Sequence, residues 1–284
     1  MTGGGPKADL TGLILGGGLL AAARLEHAAA RGRDRRRAFL NGLVSEALDT
    51  AELETLTVRL YERAPGRYGS QLLTDWESAM FAGALPSPPA RILVTAAGSG
   101  REVRALVERD YEVDALEPVP VMAAACAAIP GVGAVWTATH DDLIDAVERR
   151  SGPVAELADQ RFDAVIVGWG SFTHVLSREG QRRLLAVCDR LAPRGPILLS
   201  FFAQGEGLSR RVRAFEAGAR LGRRLAARRG SAPKELQIGF VWHLGFTHAF
   251  TPDEIEALAV AVRRTAEVTM TPYGHAVLRP ETTG

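Results

Sequence analysis

The sequence predicts an α/β protein in which helices cover both faces of a doubly wound, mostly parallel sheet. Short apolar runs, such as Phe162 to Val167 and Pro196 to Phe202, are typical of strands that are buried on both faces. These runs alternate with helical segments through short connections, the order that βαβ units produce. A glycine-rich turn between the first strand and the first helix is the third observation.

The N-terminal part of the chain predicts a helical extension. Apolar side chains recur at helical spacing from about residue 19 to residue 81. The apolar run at 10–23 is too short to span a bilayer. A stiff, proline-rich linker follows at 85–90. We therefore predict an N-terminal helical segment at 1–88 and a sheet domain at 89–284.

The sheet domain is predicted element by element. Strands are expected at 91–95, 111–116, 134–138, 162–167 and 196–202, with closing strands at 266–270 and 276–278. Helices are expected at 101–109, 119–128, 141–150, 177–191 and 207–230. Asp141 and Ser177 are suitable caps, and Thr251-Pro252 is a typical helix start. Seven strands are therefore expected in the sheet.

Composition and charge limit the class of protein. The 284 residues are 46% hydrophobic and 24% charged, so a packed core is expected. The net charge of +1 argues neither for nor against nucleic acid as a partner. Cys126 and Cys188 show neither a disulfide framework nor zinc-ligand spacing, which favours a cytoplasmic protein. Heavy use of Ala, Arg and Gly suggests a bacterial source.

The loop after the first strand is the most informative segment. Gly98 and Gly100 let a ligand approach the backbone and the start of the next helix. Glu117 follows 19 residues after Gly98, at the end of the second strand, where a carboxylate can accept hydrogen bonds from ribose hydroxyls. Val103 stands where a dinucleotide-binding fingerprint has its third glycine. The arrangement therefore predicts a nucleoside site and disfavours an NAD-dependent oxidoreductase.

Residues 91–203, and more loosely the rest to 284, resemble the class I S-adenosylmethionine-dependent methyltransferases. The resemblance is carried by Ala97-Gly98-Ser-Gly100, Glu117, Asp141, Arg161-Phe-Asp163, Leu191-Ala-Pro-Arg-Gly195 and Phe250-Thr-Pro-Asp-Glu254. It implies a Rossmann-like, doubly wound, mostly parallel seven-stranded sheet with an N-terminal helical extension. It also implies a methyltransferase that uses S-adenosylmethionine as cofactor.

The resemblance implies where the cofactor binds. Glu117 would hold the ribose, the loop around Gly98 would approach the methionine part, and Asp141 with Trp169 would frame the adenine. Tyr68, in a helical lid with Trp76 and Glu77, would cover it. The full set of expected cofactor contacts is Tyr68, Ala97, Gly98, Gly100, Glu117, Pro118, Asp141, Asp142, Gly168 and Trp169.

His174, after the fourth strand, is the expected catalytic base, because its ordinary pKa lies near neutrality. A capping or packing role is the competing interpretation. His243 and His248 would point to opposite faces of a strand, so we expect no metal pair there. The expected acceptor is a small molecule, methylated on O or N, and a homodimer is left open.

Three alternatives remain open. The family usually has an acid at the position of Val94 and a glycine at that of Ala96, so the chain could be an inactive S-adenosylmethionine-binding module. A second, related alternative is an enzyme that uses the sulfonium of S-adenosylmethionine for chemistry other than methyl transfer. The arginine-rich helix at 210–229 would suit an RNA or protein methyltransferase, although a solvated helix face is the simpler interpretation.

Overall fold

The structure, a computed structural model, describes residues 30, 32–63, 72–204, 210–241 and 244–281. The chain forms two compact units. The smaller unit contains Met1–Ala47 and Gly207–Ser231, and the larger contains Leu48–Glu206 and Ala232–Gly284. The predicted boundary at residue 88 therefore falls inside the larger unit. The reason is that Phe81 and Ala84 lie in the same apolar cluster as the first strand, so the helix that carries them packs with the sheet.

The larger unit contains a seven-stranded sheet in the order β3-β2-β1-β4-β5-β9-β8. Strands β1 to β5 pair in parallel, and β9 runs antiparallel to β5 and β8. The strands are β1 Arg91–Thr95, β2 Glu112–Leu116, β3 Val135–Trp136, β4 Ala164–Val167, β5 Ile197–Phe201, β8 Arg264–Thr269 and β9 Gly274–Pro280. The predicted seven-stranded, mostly parallel sheet is confirmed, although β3 is shorter than the expected 134–138.

A separate hairpin forms from β6 (Ile238–Val241) and β7 (Gly245–His248). In the sequence, residues 235–250 have strand character throughout. The structure instead pairs these residues with each other in a two-stranded sheet, and Trp242 and His243 lie outside the described residues.

Helices surround the sheet or belong to the smaller unit. The helices of the larger unit are α2 Thr50–Glu62, α3 Asp75–Ala84, α4 Arg101–Val107, α5 Pro120–Ala127, α6 His140–Arg149, α7 Arg178–Leu191 and α9 Pro252–Ala261. The smaller unit contributes α1 at 32–47 and α8 Arg210–Arg228. The expected caps Ser177 and Thr251 are confirmed, since the side chain of each accepts a hydrogen bond from a backbone amide in the first turn of its helix. For α6 the cap is Thr139 rather than Asp141.

Alternating residues of the strands build the two sides of the core. Ile92 and Val94 of β1 belong to the apolar cluster that includes side chains of α3, α4 and α5. Leu93 belongs to the opposite cluster, with side chains of α6, α7 and α9. This period of two is what a strand covered on both faces requires. Val94 is fully buried, so the position where related sequences have an acid is part of the core here.

A buried arginine ties the end of the sheet to α7. Arg264 at the start of β8 has 0% exposure, and its Nε donates to Asp189 at 2.7 Å. Its Nη atoms donate to the carbonyls of Ala192 and Gly195, each at 2.7 Å. These carbonyls lie in the turn after α7, where backbone acceptors lack helical partners.

Among the described residues no helix is long and apolar enough to cross a membrane.

Candidate functional site

A cavity of ≈ 840 Å³ lies in the larger unit, where β1, β2 and β4 end. This is the edge of a doubly wound sheet at which ligands bind. The predicted site residues that line it are Ala97, Gly98, Glu117, Pro118, Asp141, Trp169 and His174. Gly100, Asp142 and Gly168 are not among the lining residues. Tyr68 lies outside the described residues.

The loop after β1 opens toward the cavity. Ala96 and Gly98 have φ values of 49° and 57°, which glycine adopts more readily than alanine. A side chain added at Gly98 would meet no atom within 4 Å, so the backbone there is open to a ligand. The amide of Gly98 donates to Glu117 Oε2 at 2.7 Å, which joins the loop to the end of β2.

Gly100 and Gly168 have packing roles instead of contacts with the cavity. A Cβ at Gly100 would lie 3.2 Å from Cys126 Cα and closer still to Ile129, so glycine lets α5 approach the loop. A Cβ at Gly168 would lie 2.7 Å from the carbonyl oxygen of Thr95. The glycine therefore lets the end of β4 approach the end of β1. Both glycines shape the floor of the site indirectly.

Glu117 is a buried carboxylate with its oxygens directed at backbone amides. It is 4% exposed, and its Oε1 accepts from the amide of Val119 at 2.9 Å while Oε2 accepts from Gly98. Burial raises its pKa to about 7. A carboxylate oxygen has two lone pairs, so each of these atoms retains the capacity to accept one more hydrogen bond.

The segment after β3 divides its acidic residues between two roles. Asp142 accepts from the backbone amide and hydroxyl of Thr139, at 2.8 and 2.7 Å, and so completes the capping box of α6. Asp141 lines the cavity, and burial raises its pKa. His140 also lines the cavity, although the sequence analysis did not select it. Burial lowers the pKa of His140 to about 4, so this imidazole is neutral at pH 7.

His174 is paired with Tyr61, which was not among the residues predicted for the site. His174 Nδ1 lies 2.9 Å from the carbonyl oxygen of Phe246, and a carbonyl can only accept, so Nδ1 carries the proton. Nε2 of the neutral ring is then an acceptor, and the Tyr61 hydroxyl donates to it at 3.1 Å. Burial lowers the pKa of His174, which keeps the ring neutral. Both side chains line the cavity.

Helix α2 covers one side of the cavity through residues at helical spacing. Glu54, Val58 and Tyr61 all line it. Glu54 Oε1 accepts from the amide of Leu176 at 2.9 Å, and burial raises the pKa of Glu54 to about 7. This spacing was present in the sequence, but no local pattern shows which buried face a helix turns toward a ligand.

A second anchor joins α2 to the β6–β7 hairpin. Thr57 Oγ1 accepts from the amide of Phe246 at 3.2 Å. Gly245 at φ +92° lets the hairpin come close to the Thr57 side chain. Helix α2 therefore covers this side of the cavity. The predicted lid with Tyr68, Trp76 and Glu77 belongs to a later segment, in which Tyr68 lies outside the described residues.

Glu77 and Trp76 lie beside the site without lining the cavity. Arg101 at the start of α4 lines the cavity and donates to Glu77 at 2.5 Å and to Glu102 at 2.9 Å. Glu102 also accepts from the backbone amide of Trp169 at 3.1 Å. Trp76 stacks on His275 with ring centroids 4.7 Å apart. The hydrogen bonds of Arg101 and Glu102 thus connect the loop after β1 to the loop after β4.

His248 has no place in the cavity. Its Nδ1 lies 3.1 Å from the carbonyl oxygen of Gln237, and its Nε2 lies 3.4 Å from a Glu254 oxygen. In the part of the chain that the structure describes, no group of three His, Cys, Asp or Glu side chains is arranged to hold a metal ion.

The seven-stranded, mostly parallel sheet with flanking helices is shared with solved structures of methyltransferases that match the chain. A 1,6-didemethyltoxoflavin-N1-methyltransferase from Burkholderia thailandensis, with 1,6-didemethyltoxoflavin and S-adenosylhomocysteine bound, has a TM-score of 0.51 and 17% identity over 81% of this chain and 88% of that chain. Magnesium protoporphyrin IX methyltransferase from Synechocystis, with S-adenosylmethionine bound, has a TM-score of 0.50 and 14% identity over 82% and 98%.

A third match carries a different name. A protein from Rhodobacter sphaeroides, provisionally described as a Zn-dependent alcohol dehydrogenase, has a TM-score of 0.54 and 14% identity over 79% of this chain and 97% of that chain. No family model matches the sequence, and no curated protein matches it. Likeness at these identities shows the fold, and the predicted Rossmann-like methyltransferase fold is confirmed. Function has to be argued from the site.

Proposed function

We propose that this protein is an S-adenosylmethionine-dependent methyltransferase that acts on O or N of a small molecule. The observation that carries the proposal is the buried Glu117 carboxylate, which lies at the end of β2 beside the open loop at Gly98. Both border a cavity of ≈ 840 Å³, within the range of small-molecule sites. The similar folds solved with S-adenosylmethionine or S-adenosylhomocysteine support the choice of nucleoside.

The residues present suit this cofactor. Glu117 has acceptor capacity for two ribose hydroxyls, and a ligand that donates to it relieves the cost of burying its charge. The bare backbone at Gly98 leaves space for the methionine part. Asp141 and Pro118 border the region in which the adenine would lie. Val94 is buried in the core, so the methionine amino group must find another acceptor.

The bound cofactor would supply an electrophilic methyl group on a sulfonium, which an aligned nucleophile can displace directly. The protein's task is to position the acceptor, exclude water and remove a proton from it. The Tyr61 hydroxyl already donates to His174 Nε2. The Tyr61 oxygen can therefore take a proton from the small molecule that is methylated, while the proton of the Tyr61 hydroxyl passes to His174. The Phe246 carbonyl holds the ring in the tautomer that this transfer needs.

A catalytically inactive module that retains S-adenosylmethionine binding is the second candidate. Val94 favours it, because the buried valine removes an acid that commonly helps to hold the methionine amino group in related sequences. The two candidates agree on the cofactor. They differ in whether labelled methyl groups leave it for an acceptor.

Isothermal titration calorimetry of the full chain with S-adenosylmethionine, S-adenosylhomocysteine and NAD tests the proposal. We expect binding of both sulfur nucleosides and none of NAD. Binding of NAD alone, or of none of the three, would overturn the proposed cofactor. Methyl transfer from labelled S-adenosylmethionine to a panel of amines and alcohols then separates an enzyme from a binding module.

A further inference from the structure

The two compact units of the chain differ sharply in charge. The smaller unit, Met1–Ala47 with Gly207–Ser231, contains 15 Lys and Arg residues and five Asp and Glu residues, a net charge of +10. The remaining chain contains 19 basic and 28 acidic residues, a net charge of −9. The net charge of +1 for the whole chain is therefore the sum of a strongly basic smaller unit and an acidic larger unit.

Among the residues that the structure describes, the arginines of the smaller unit face solvent. Helices α1 and α8 lie close together, because a Cβ at Gly42, Gly218 or Gly222 would overlap the backbone of the opposite helix. Ala219 and Ala226 of α8 are buried. The small-residue face of α8 is thus used for packing against α1, which leaves its arginine-bearing face toward solvent.

The exposed arginines of α8 form a stripe. Arg213, Arg220, Arg224 and Arg228 are exposed and follow each other at intervals of seven, four and four residues, which keeps them on one side of the helix. Four residues of α-helix rise about 6 Å, so the stripe presents charges at regular short intervals. Arg223 is ion-paired to Glu46 at 2.6 Å and is not counted in the stripe.

A groove between the two helices continues the stripe. It has a volume of ≈ 810 Å³ and is lined by Arg35, Arg36 and Arg213, with Phe39, Leu40, Ala214 and Ala217 as its apolar part. Guanidinium groups bind phosphates through paired donors, and an aromatic ring in a basic groove can stack on a base. The groove thus combines the two features that single-stranded nucleic acid requires.

We propose that the α1–α8 pair binds single-stranded nucleic acid, with phosphates on the Arg213–Arg228 stripe and a base in the groove beside Phe39. A membrane surface is the competing anionic partner. A helix that lies in a membrane inserts an apolar face, and the small-residue face of α8 is already buried against α1. The charge and the groove therefore favour a solvated polyanion. This binding is independent of the proposed methyltransferase activity.

Fluorescence anisotropy of the full chain with a labelled, mixed-sequence single-stranded RNA at low salt tests the proposal. Four phosphate contacts predict a slope of about −3 in log affinity against log salt. The triple variant Arg35→Glu, Arg213→Glu, Arg224→Glu should lose binding by at least about 100-fold. The control variant Arg109→Glu, Arg194→Glu, Arg279→Glu makes the same charge change at exposed positions of the larger unit and should bind normally.

Three results would overturn the proposal: no RNA binding at low salt, equal losses in the two triple variants, or tighter binding to phosphatidylglycerol vesicles than to RNA. Tighter binding to duplex DNA would overturn the single-stranded part. S-Adenosylhomocysteine affinity is measured on each variant in parallel. It should stay unchanged, which shows that the variants are folded and separates failure of this proposal from failure of the proposed cofactor.

Discussion

At the scale of single residues, Glu117 illustrates how burial prepares a side chain for a ligand. Its carboxylate is almost inaccessible, receives two backbone amides and has a pKa of about 7. Desolvation disfavours the charge more than the two amides favour it. A ligand that supplies hydroxyl donors shifts that balance toward the carboxylate, so protonation of Glu117 and cofactor binding should compete.

We therefore expect S-adenosylhomocysteine affinity to rise with pH. Raising the pH from about 6 to about 8 takes a group of pKa about 7 from mostly neutral to mostly charged, so the affinity should rise about tenfold. In Glu117→Gln this dependence should vanish, and affinity at the higher pH should fall by about 10- to 100-fold. Calorimetry at the two pH values measures both effects, and wild-type affinity that is flat with pH would contradict the assignment.

The same pKa shift predicts how stability without cofactor depends on pH. The folded-state pKa of Glu117 is above the ordinary glutamate value of 4.5, so its stabilising contribution is complete below about 4.5 and is lost as the pH rises through about 7. For this buried group the loss is about 3 kcal/mol. The free energy of unfolding of Glu117→Gln, relative to wild type, should therefore rise across that range. A constant difference between the two proteins would contradict the shift.

Tyr61 and His174 form the second residue-scale unit. We expect ¹⁵N NMR of histidine-labelled protein at pH 7 to show His174 neutral, with its proton on Nδ1, because burial lowers its pKa and Phe246 accepts from Nδ1. Tyr61→Phe should move the Nε2 resonance and leave Nδ1 protonated. His174→Gln assigns the signal. A charged ring, or a proton on Nε2, would contradict the proposed proton path.

At the scale of elements, the cover of the cavity depends on how α2 is attached. Three side chains on one side of α2 form hydrogen bonds with other elements. Glu54 binds the amide of Leu176, Thr57 binds the amide of Phe246, and Tyr61 binds His174. Those partners come from the segment after β4 and from β7. The hairpin β6–β7 therefore positions both the covering helix and, through the Phe246 carbonyl, the tautomer of His174.

Gly245→Ala should disturb this attachment. The residue has φ +92°, and a Cβ there would lie 2.7 Å from Thr57 Oγ1. Strain and displacement of α2 together should lower the free energy of unfolding by about 2 kcal/mol, and the His174 Nε2 resonance should move as it does in Tyr61→Phe. Gly239→Ala in the paired strand is the control, since its Cβ would lie 3.6 Å from the nearest atom. Urea unfolding of both variants measures the difference, and equal losses would contradict this role for Gly245.

At the scale of the whole molecule, the larger unit is closed by its last strands. Arg264 joins β8 to α7 through Asp189, to the turn before β5 through two carbonyls, and to β9 through the carbonyl of Leu278. The arginine and the three residues whose carbonyls it binds are buried, so water cannot replace it at those carbonyls. Segments far apart in the chain thus depend on one guanidinium.

Arg264→Met should lower the free energy of unfolding by about 3 kcal/mol or more, because it leaves three buried carbonyls without their hydrogen-bond donor. Arg279→Met removes the same charge at an exposed position of β9 and should change it by less than about 0.5 kcal/mol. Urea denaturation followed by circular dichroism compares the two variants. A loss below about 1 kcal/mol for Arg264→Met would show that the network does not close the sheet.

The sequence by itself determined the sheet, the loop at Gly98 and the acid at Glu117, because strand periodicity and turn glycines depend on residues that are close in the chain. Only the tertiary structure decided that Tyr61 meets His174 across 113 positions and that α1 and α8 form one basic unit. It also reassigned Gly100, Gly168 and Asp142 to packing and capping. Contacts between distant segments arise from packing, and the apolar periodicity of a segment shows which of its faces is buried but not which distant segment covers that face.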